Sequence, residues 1–296
     1  WSNVNLVTGH IDFQDWTTND DTFDKVVSPT IAGYTADKSE IPAVSGVKAK
    51  DQDRVETVTY RKDAQKAVIR YVSTNGNRVL TTDEVTGKSG EAIAYSTTSQ
   101  ITEFKKQGYN LVSDEFTAGG AKVYDYDTAR DQVYTVTLSE RVEPVNPDNP
   151  TPQPNTPVNP GQPDSPRWPG TVENLDNKES VSRTIHYVYE DGSKAKDDVV
   201  ETLNFKRWSN VNLVTGHIDF QDWTTNDDTF DKVVSPTIAG YTADKSEIPA
   251  VSGVQAKDQD RVETVTYRKD AQKAIIRYVS TNGNRVLTTD EVTGKS

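Results

Sequence analysis

The chain has 296 residues, no cysteine, no methionine and a formal net charge of −12, with 33% apolar and 26% charged residues. This inventory excludes a disulfide framework, a thiolate zinc site and a cysteine nucleophile, and its three histidines leave little for metal or general-base chemistry. The acidic balance argues against nucleic acid, which rewards Lys/Arg clusters, and no run of 18 apolar residues exists to insert in a membrane.

The dominant feature is internal identity. Residues 1–89 recur as residues 208–296 at an offset of 207, and only Lys48/Gln255 and Val68/Ile275 differ. Identity at that period reads as an array of domain-sized units. With methionine absent even at the start, the sequence reads as an excerpt of a longer polypeptide whose signal and anchor segments lie outside it.

In chain order, the first β-prone run is Ala67–Val72. Asn75-Gly76 follows as a type I′ hairpin turn, and Arg78–Glu84 returns. A helix is expected from Ser99, as N-cap, to Gln107. Ile101 and Phe104 share its face, Lys105 and Lys106 suit the C-terminal dipole, and Gly108 ends it. Gln132–Leu138 alternates as a closing strand.

Ten of the 14 prolines then fall between Pro144 and Pro169, mostly at every third residue. That spacing matches the three-residue turn of polyproline II. The stretch could span about 80 Å as a semi-rigid spacer, with an SH3-type ligand as the alternative and Trp168 as an exposed or docking residue.

A second hairpin runs Thr184–Tyr189, Asp191-Gly192, Asp198–Phe205, with His186 facing solvent. A weaker helix is expected over Asp228–Val234, ended by Ser235-Pro236. Arg261–Tyr267 closes this module. A hairpin, a crossing helix and further strands is β-grasp (ubiquitin-like) order, so the fold class is α+β and β-rich, with tandem modules joined by a Pro-rich linker.

The domains expected are 1–63, a module A lacking its opening hairpin; 64–143, a complete module B; 144–170, the linker; 171–270, a complete module A; and 271–296, the opening hairpin of a further module B. An orphan hairpin is marginal in water, so residues 271–296 should show weak amide-exchange protection unless paired with another chain.

The run Phe230–Asp244, preceded by Val214-Thr215-Gly216 and Trp223, resembles the first module of Mub-type repeats of lactobacillus mucus-binding proteins. The Ile276–Gly283 opening, continued in the other copy by Gly108-Tyr109 and Tyr134–Leu138, is similar to the MucBP module that follows it. The resemblance implies a Gram-positive cell-surface adhesin, wall-anchored through segments outside this chain. Its implied partners are host mucin glycoproteins or their glycans, with immunoglobulins for some repeats. A stalk spacer is the structural alternative.

Site candidates come from chemistry. Ring faces offer platforms to sugar C–H groups, which nominates Trp208 and Trp223, their copies Trp1 and Trp16, and Tyr124 and Tyr126; core burial is the competing reading for both Trp208 and Trp223. Asp125, Asp127 and Asp131 are calcium candidates, but no loop of EF-hand form surrounds them, and a solvated acidic hairpin is the simpler reading. Asn226-Asp227-Asp228 is weaker still. No cofactor is expected, with structural calcium left open. No phosphate loop, nucleophile elbow or metal-binding His pair is present, so the chain reads as a binding protein, not an enzyme, and a monomer within an extended array. Weak sites in near-identical copies gain affinity through effective concentration. An acidic chain meeting sialate and sulfate should bind more strongly as its carboxylates become protonated toward pH ~4.

Overall fold

A computed structural model describes residues 1–295. The chain divides into two compact units, residues 1–141 with 163–165, and residues 142–162 with 166 onward. The structure is β-rich, with one α-helix among the described residues.

In the first unit, residues 64–140 form a four-stranded sheet. Its order is Val79–Lys88, Ala64–Ser73, Gln132–Glu140, Tyr109–Asp114. The two central strands run parallel, from Ala67 opposite Gln132 to Ser73 opposite Leu138, and both outer pairings are antiparallel. Ala67, Val68, Ile69 and Tyr71 are all buried, as suits a central strand covered on both faces.

The helix Thr98–Lys106 buries Ile101 and Phe104. The Phe104 ring lies 5.6 Å from Tyr71 and 5.7 Å from Tyr109. Its N-cap is Thr97, not Ser99, and the Thr97 hydroxyl donates to Asp114 Oδ2 instead of capping. The hairpin turn also sits one residue later than expected. Positive φ falls on Gly76 and Asn77, and the Ser73 N–H closes the loop on the Arg78 carbonyl.

Residues 1–63 hold three short strand pairs: Ser2–Val4 with Ile11–Phe13, Val26–Val27 with Glu40–Ile41, and Tyr34–Ala36 with Tyr60–Lys62. Their large apolar side chains are mostly exposed.

The second unit repeats the sheet order with other residues: Lys194–Lys206, Lys178–Tyr189, Arg261–Lys269, Tyr241–Ala243. Its central pair is again parallel, Arg183 opposite Arg261 through Tyr189 opposite Tyr267. Among the described residues no α-helix crosses this sheet. The segment expected as helix at 228–234 instead bridges Phe230 to Val251 and pairs Val233–Val234 with Glu247–Ile248. β-branched Val233 and Val234 and the residue before Pro236 favour extended backbone, and Phe230 enters the core.

The proline-rich stretch is not an extended spacer. Val142–Val145 is an edge strand paired with Ser209–Asn212, which pairs in turn with Ile218–Phe220, and at that edge Pro144 costs no ladder donor. The chain then folds back: Asn155 N–H reaches the Trp168 carbonyl, Trp168 N–H the Thr156 carbonyl, and Val158 N–H the Pro166 carbonyl, at 2.9, 3.0 and 2.9 Å. Trp168 and Val158 pack on Val145, Val172, Val211 and Leu213. This apolar burial outweighs the extended preference of proline, so Trp168 is half-buried and not free. The last hairpin, Ala271–Val279 with Val286–Lys295, is exposed throughout. Among the described residues no helix is long and apolar enough to cross a membrane.

Candidate functional site

The expected aromatic residues separate into structural and exposed groups. Arg207 follows the strand Lys194–Lys206 and places its guanidinium 4.0 Å from the Phe220 ring and 4.2 Å from the Trp223 ring. Asp176 pairs with Arg207 at 2.9 Å and with Lys257 at 3.0 Å, and Lys257 also meets Glu179. Hydrogen bonds from Glu179 first and then Asp176 raise the Lys257 pKa. Trp223 packs against Val181, Leu203, Phe205 and Phe230, so its ring is committed to the core and the cation stack.

Trp208 remains 43% exposed. Its copy Trp1 is 98% exposed and Trp16 is 75% exposed, because among the described residues no hairpin covers residues 1–63 as residues 178–206 cover 208–270.

The two tyrosines differ in burial. Tyr124 is buried with its ring against Gly87, where a Cβ would strike it, and so it offers no open ring face to a ligand. Tyr126 is half-exposed and leans on Gly33 and Gly90. The three aspartates do not converge. Asp125 Oδ1 accepts the Asp127 N–H, Asp127 Oδ1 accepts the Ala129 N–H, and Asp131 pairs with Lys66 at 2.8 Å. Turn formation and an ion pair thus occupy them, and among the described residues no group of three or more acidic or histidine side chains is placed to hold a metal. Asp227 Oδ1 likewise accepts the Thr229 N–H in a turn. His186 is half-buried and meets Asp198 at 2.9 Å.

A cleft that no single stretch of sequence reveals lies where the strand Lys178–Tyr189 begins, the strand Lys194–Lys206 ends, and the loop 225–227 crosses over. It encloses about 390 Å³. Alternation along the second strand turns Leu203 and Phe205 inward and Thr202, Asn204 and Lys206 outward. The Thr225 hydroxyl bonds the Asn204 carbonyl at 2.8 Å and accepts the Asp227 N–H at 3.2 Å, which fixes the loop over the strand. Lys206 is neutralised by Asp148 at 2.9 Å. Among the described residues the side-chain amides of Asn204 and Asn226 and the Lys178 ammonium have no partner, which leaves donors and acceptors of both kinds facing a wet cleft. Such a set suits hydroxyl-rich ligands. Of its residues, sequence reasoning had touched only Asn226 and Asp227; strand alternation alone could have placed Asn204 outward.

A family model described as Muc B2-like domain matches residues 2–64 and 172–271, together more than half of the chain, and one described as mucin binding domain matches residues 65–140. Among solved structures the chain is similar to the crystal structure of Mub-RV, at 26% identity over 70% of this chain and 99% of that one, with a TM-score of 0.55. It is similar to the type 2 repeat of the mucus binding protein MUB from Lactobacillus reuteri at 28% identity, over 70% of this chain and 100% of that one, with a TM-score of 0.46. The mucin-binding domain of Spr1345 from Streptococcus pneumoniae is 30% identical over 31% of this chain and 91% of that one, with a TM-score of 0.29. No curated protein matches the chain.

Proposed function

Since the chain belongs to the Muc B2-like domain family and carries a mucin binding domain between its two family stretches, we propose that it is a repeat of a bacterial surface adhesin that binds mucin through its glycans. The cleft at Lys178, Asn204 and Asn226 carries this reading, because its unspent amides and ammonium match sugar hydroxyls and carbonyls. Individually weak sites of this kind gain through repetition. The parallel central pair and the shared strand order support a β-grasp architecture for both modules. Anchoring to a Gram-positive wall belongs to the same reading.

The test is binding of the chain to immobilised mucin, before and after enzymatic glycan removal, at neutral pH and near pH 4. Glycan-dependent binding, stronger at the acid pH and weakened about fivefold or more by Asn204→Ala with Asn226→Ala, is expected. Binding that survives glycan removal contradicts it, and no binding at all points to a spacer. A protein partner such as immunoglobulin is the second reading. The edge strand Tyr109–Asp114 favours it, because Leu111 and Val112 are exposed beside unpaired backbone; free glycan would not compete with that mode.

A further inference from the structure

We propose that copies of this chain associate head to tail, the hairpin 271–295 of one copy docking on residues 1–63 of the next. This self-interaction is independent of what the cleft binds.

The receiving face is defined by its own duplicate. In the second unit, parallel pairing with Lys178–Tyr189 makes Arg261–Lys269 a full strand, and Ile185 and Tyr187 cover Val265 and Tyr267. Residues 54–62 repeat 261–269 without a change, yet only Tyr60–Lys62 is strand, and Val58 and Tyr60 stay half-exposed. The rest of that face is already formed. Tyr34–Ala36 pairs with Tyr60–Lys62 as Tyr241–Ala243 pairs with the end of Arg261–Lys269, and Tyr60 donates to the Pro29 carbonyl as Tyr267 does to that of Pro236. What it lacks is a central strand running parallel to residues 54–60.

The hairpin 271–295 supplies a strand of that kind. Its copy at 64–88 holds the same place in the first unit's sheet, beside a closing strand that shares the pattern Val-x-Thr-Val-Thr (133–137 and 262–266). Against that pattern Tyr71 lies opposite Val136 and Tyr187 opposite Val265, with Ile69 and Ile185 two residues before them. Both central strands thus carry isoleucine and tyrosine at the same register positions, and the hairpin repeats them as Ile276 and Tyr278, both exposed. In this register Tyr278 meets Val58 and Ile276 meets Glu56. Charge agrees: four basic and two acidic residues in 271–295 face seven basic and eleven acidic residues in 1–63. Among the described residues the hairpin has no third strand, and a lone hairpin is marginal in water, so both sides gain apolar burial. The two surfaces differ, so the contact is heterologous and repeats from copy to copy.

The fit leaves a gap that identifies it. Where the second unit's hairpin places Leu203 opposite Val181, this one places Gly294 opposite Gln272. The cavity beside Trp16 and Phe23 therefore stays open.

The experiment is sedimentation velocity of the whole chain, with amide exchange and tryptophan fluorescence on the same samples. The mean mass should rise by about half or more between ~5 and ~500 μM, with protection appearing together at 54–60 and 272–280. Ile276→Thr with Tyr278→Thr, at exposed positions where threonine keeps strand propensity, should weaken association about tenfold or more and leave the thermal midpoints of both units in place. Ile275→Thr, on the opposite face where the second unit already carries Thr184, should leave it within about twofold. Tryptophan emission should not follow the mass. A mass that stays at one copy across the range overturns the proposal, as does association that survives the Ile276 and Tyr278 changes. A blue shift that tracks the mass puts a different segment in the cavity and overturns it too.

Discussion

Replacing Arg183 by alanine tests what holds the irregular half of the second unit to its sheet. Arg183 is 1% exposed. Its Nε donates to Glu201 at 2.7 Å and its Nη2 lies 2.5 Å from the same carboxylate. Nη1 donates to the Pro249 carbonyl at 3.0 Å, Nη2 also reaches the Asp231 carbonyl, and the guanidinium sits 5.1 Å from the Phe230 ring centre. One side chain therefore ties the central hairpin to two segments, 228–234 and 247–251, that have no helix to organise them.

Removing one partner of a buried ion pair costs about 3–5 kcal/mol. Glu201 keeps 25% of its side-chain surface in water, which pulls its share toward the lower end. The two abandoned carbonyls add roughly 1 kcal/mol or more unless water reaches them. A net loss of about 3–5 kcal/mol follows, and at about 4 °C per kcal/mol for a domain near 100 residues the midpoint should fall by roughly 12–20 °C. Calorimetry of the whole chain resolves this if the first unit's transition stays in place. Arg183→Lys should recover only part, because an ammonium cannot fork between carboxylate and carbonyl. A fall of less than about 4 °C for Arg183→Ala would refute the clamp.

Alkaline pH should unfold both units. Burial, as the largest cause, raises the pKa of Tyr71, Tyr95, Tyr187 and Tyr267 above the ordinary value of about 10. A raised folded pKa contributes stability that is intact below the unfolded pKa and lost as pH rises through the folded one, at up to about 1.4 kcal/mol per pH unit per tyrosine. Midpoints should therefore drop steeply above pH ~10 as tyrosinate absorbance appears, and a normal tyrosinate titration with unchanged midpoints would contradict this. A peptide of residues 171–207, added in trans, should bind residues 1–63 and shift the fluorescence of Trp1 and Trp16 to the blue. A scrambled peptide giving the same shift would sink that complementation.

Much of the sheet was legible because its strands announce themselves by alternation and β-branched content. Ala64–Ser73, Lys178–Tyr189 and Arg261–Lys269 all contain the expected runs and extend them by two to six residues at one or both ends. The helix was legible because Ile101 and Phe104 mark one face. What failed depended on distant partners. The 228–234 segment offers apolar residues at helical spacing, yet its neighbours in space, Arg183 and Val251, dictate extended backbone. The proline period is a local signal, and the contacts of Trp168 with Val172 and Val211 override it. The cleft was invisible for the same reason: Lys178, Asn204 and Asn226 lie on three segments that only folding joins.

The two near-identical copies separate local from nonlocal determinants within one molecule. The bridge Phe23–Val44 is repeated as Phe230–Val251, the bond from Ser28 to the Lys38 carbonyl as Ser235 to Lys245, and Thr35–Asp63 as Thr242–Asp270. Burial is not repeated. Phe23 is 53% exposed and Phe230 1%, while Leu6 is 94% exposed and Leu213 7%. Turns and short pairings thus follow from local sequence, whereas the apolar burial that stabilises a fold, at about 25 cal/mol per Å², needs the hairpin 178–206. A cavity of about 750 Å³ beside Trp16, Phe23, Val47 and Ala49 stands where the other copy packs Val181, Leu203 and Phe205 against the same side chains. The cleft divides along the same line. Asn226 and Asp227 have copies in Asn19 and Asp20, but Lys178 and Asn204 belong to the hairpin and have none among residues 1–63. The cleft therefore forms where the hairpin 178–206 covers the loop 225–227, and the loop sequence by itself does not make it.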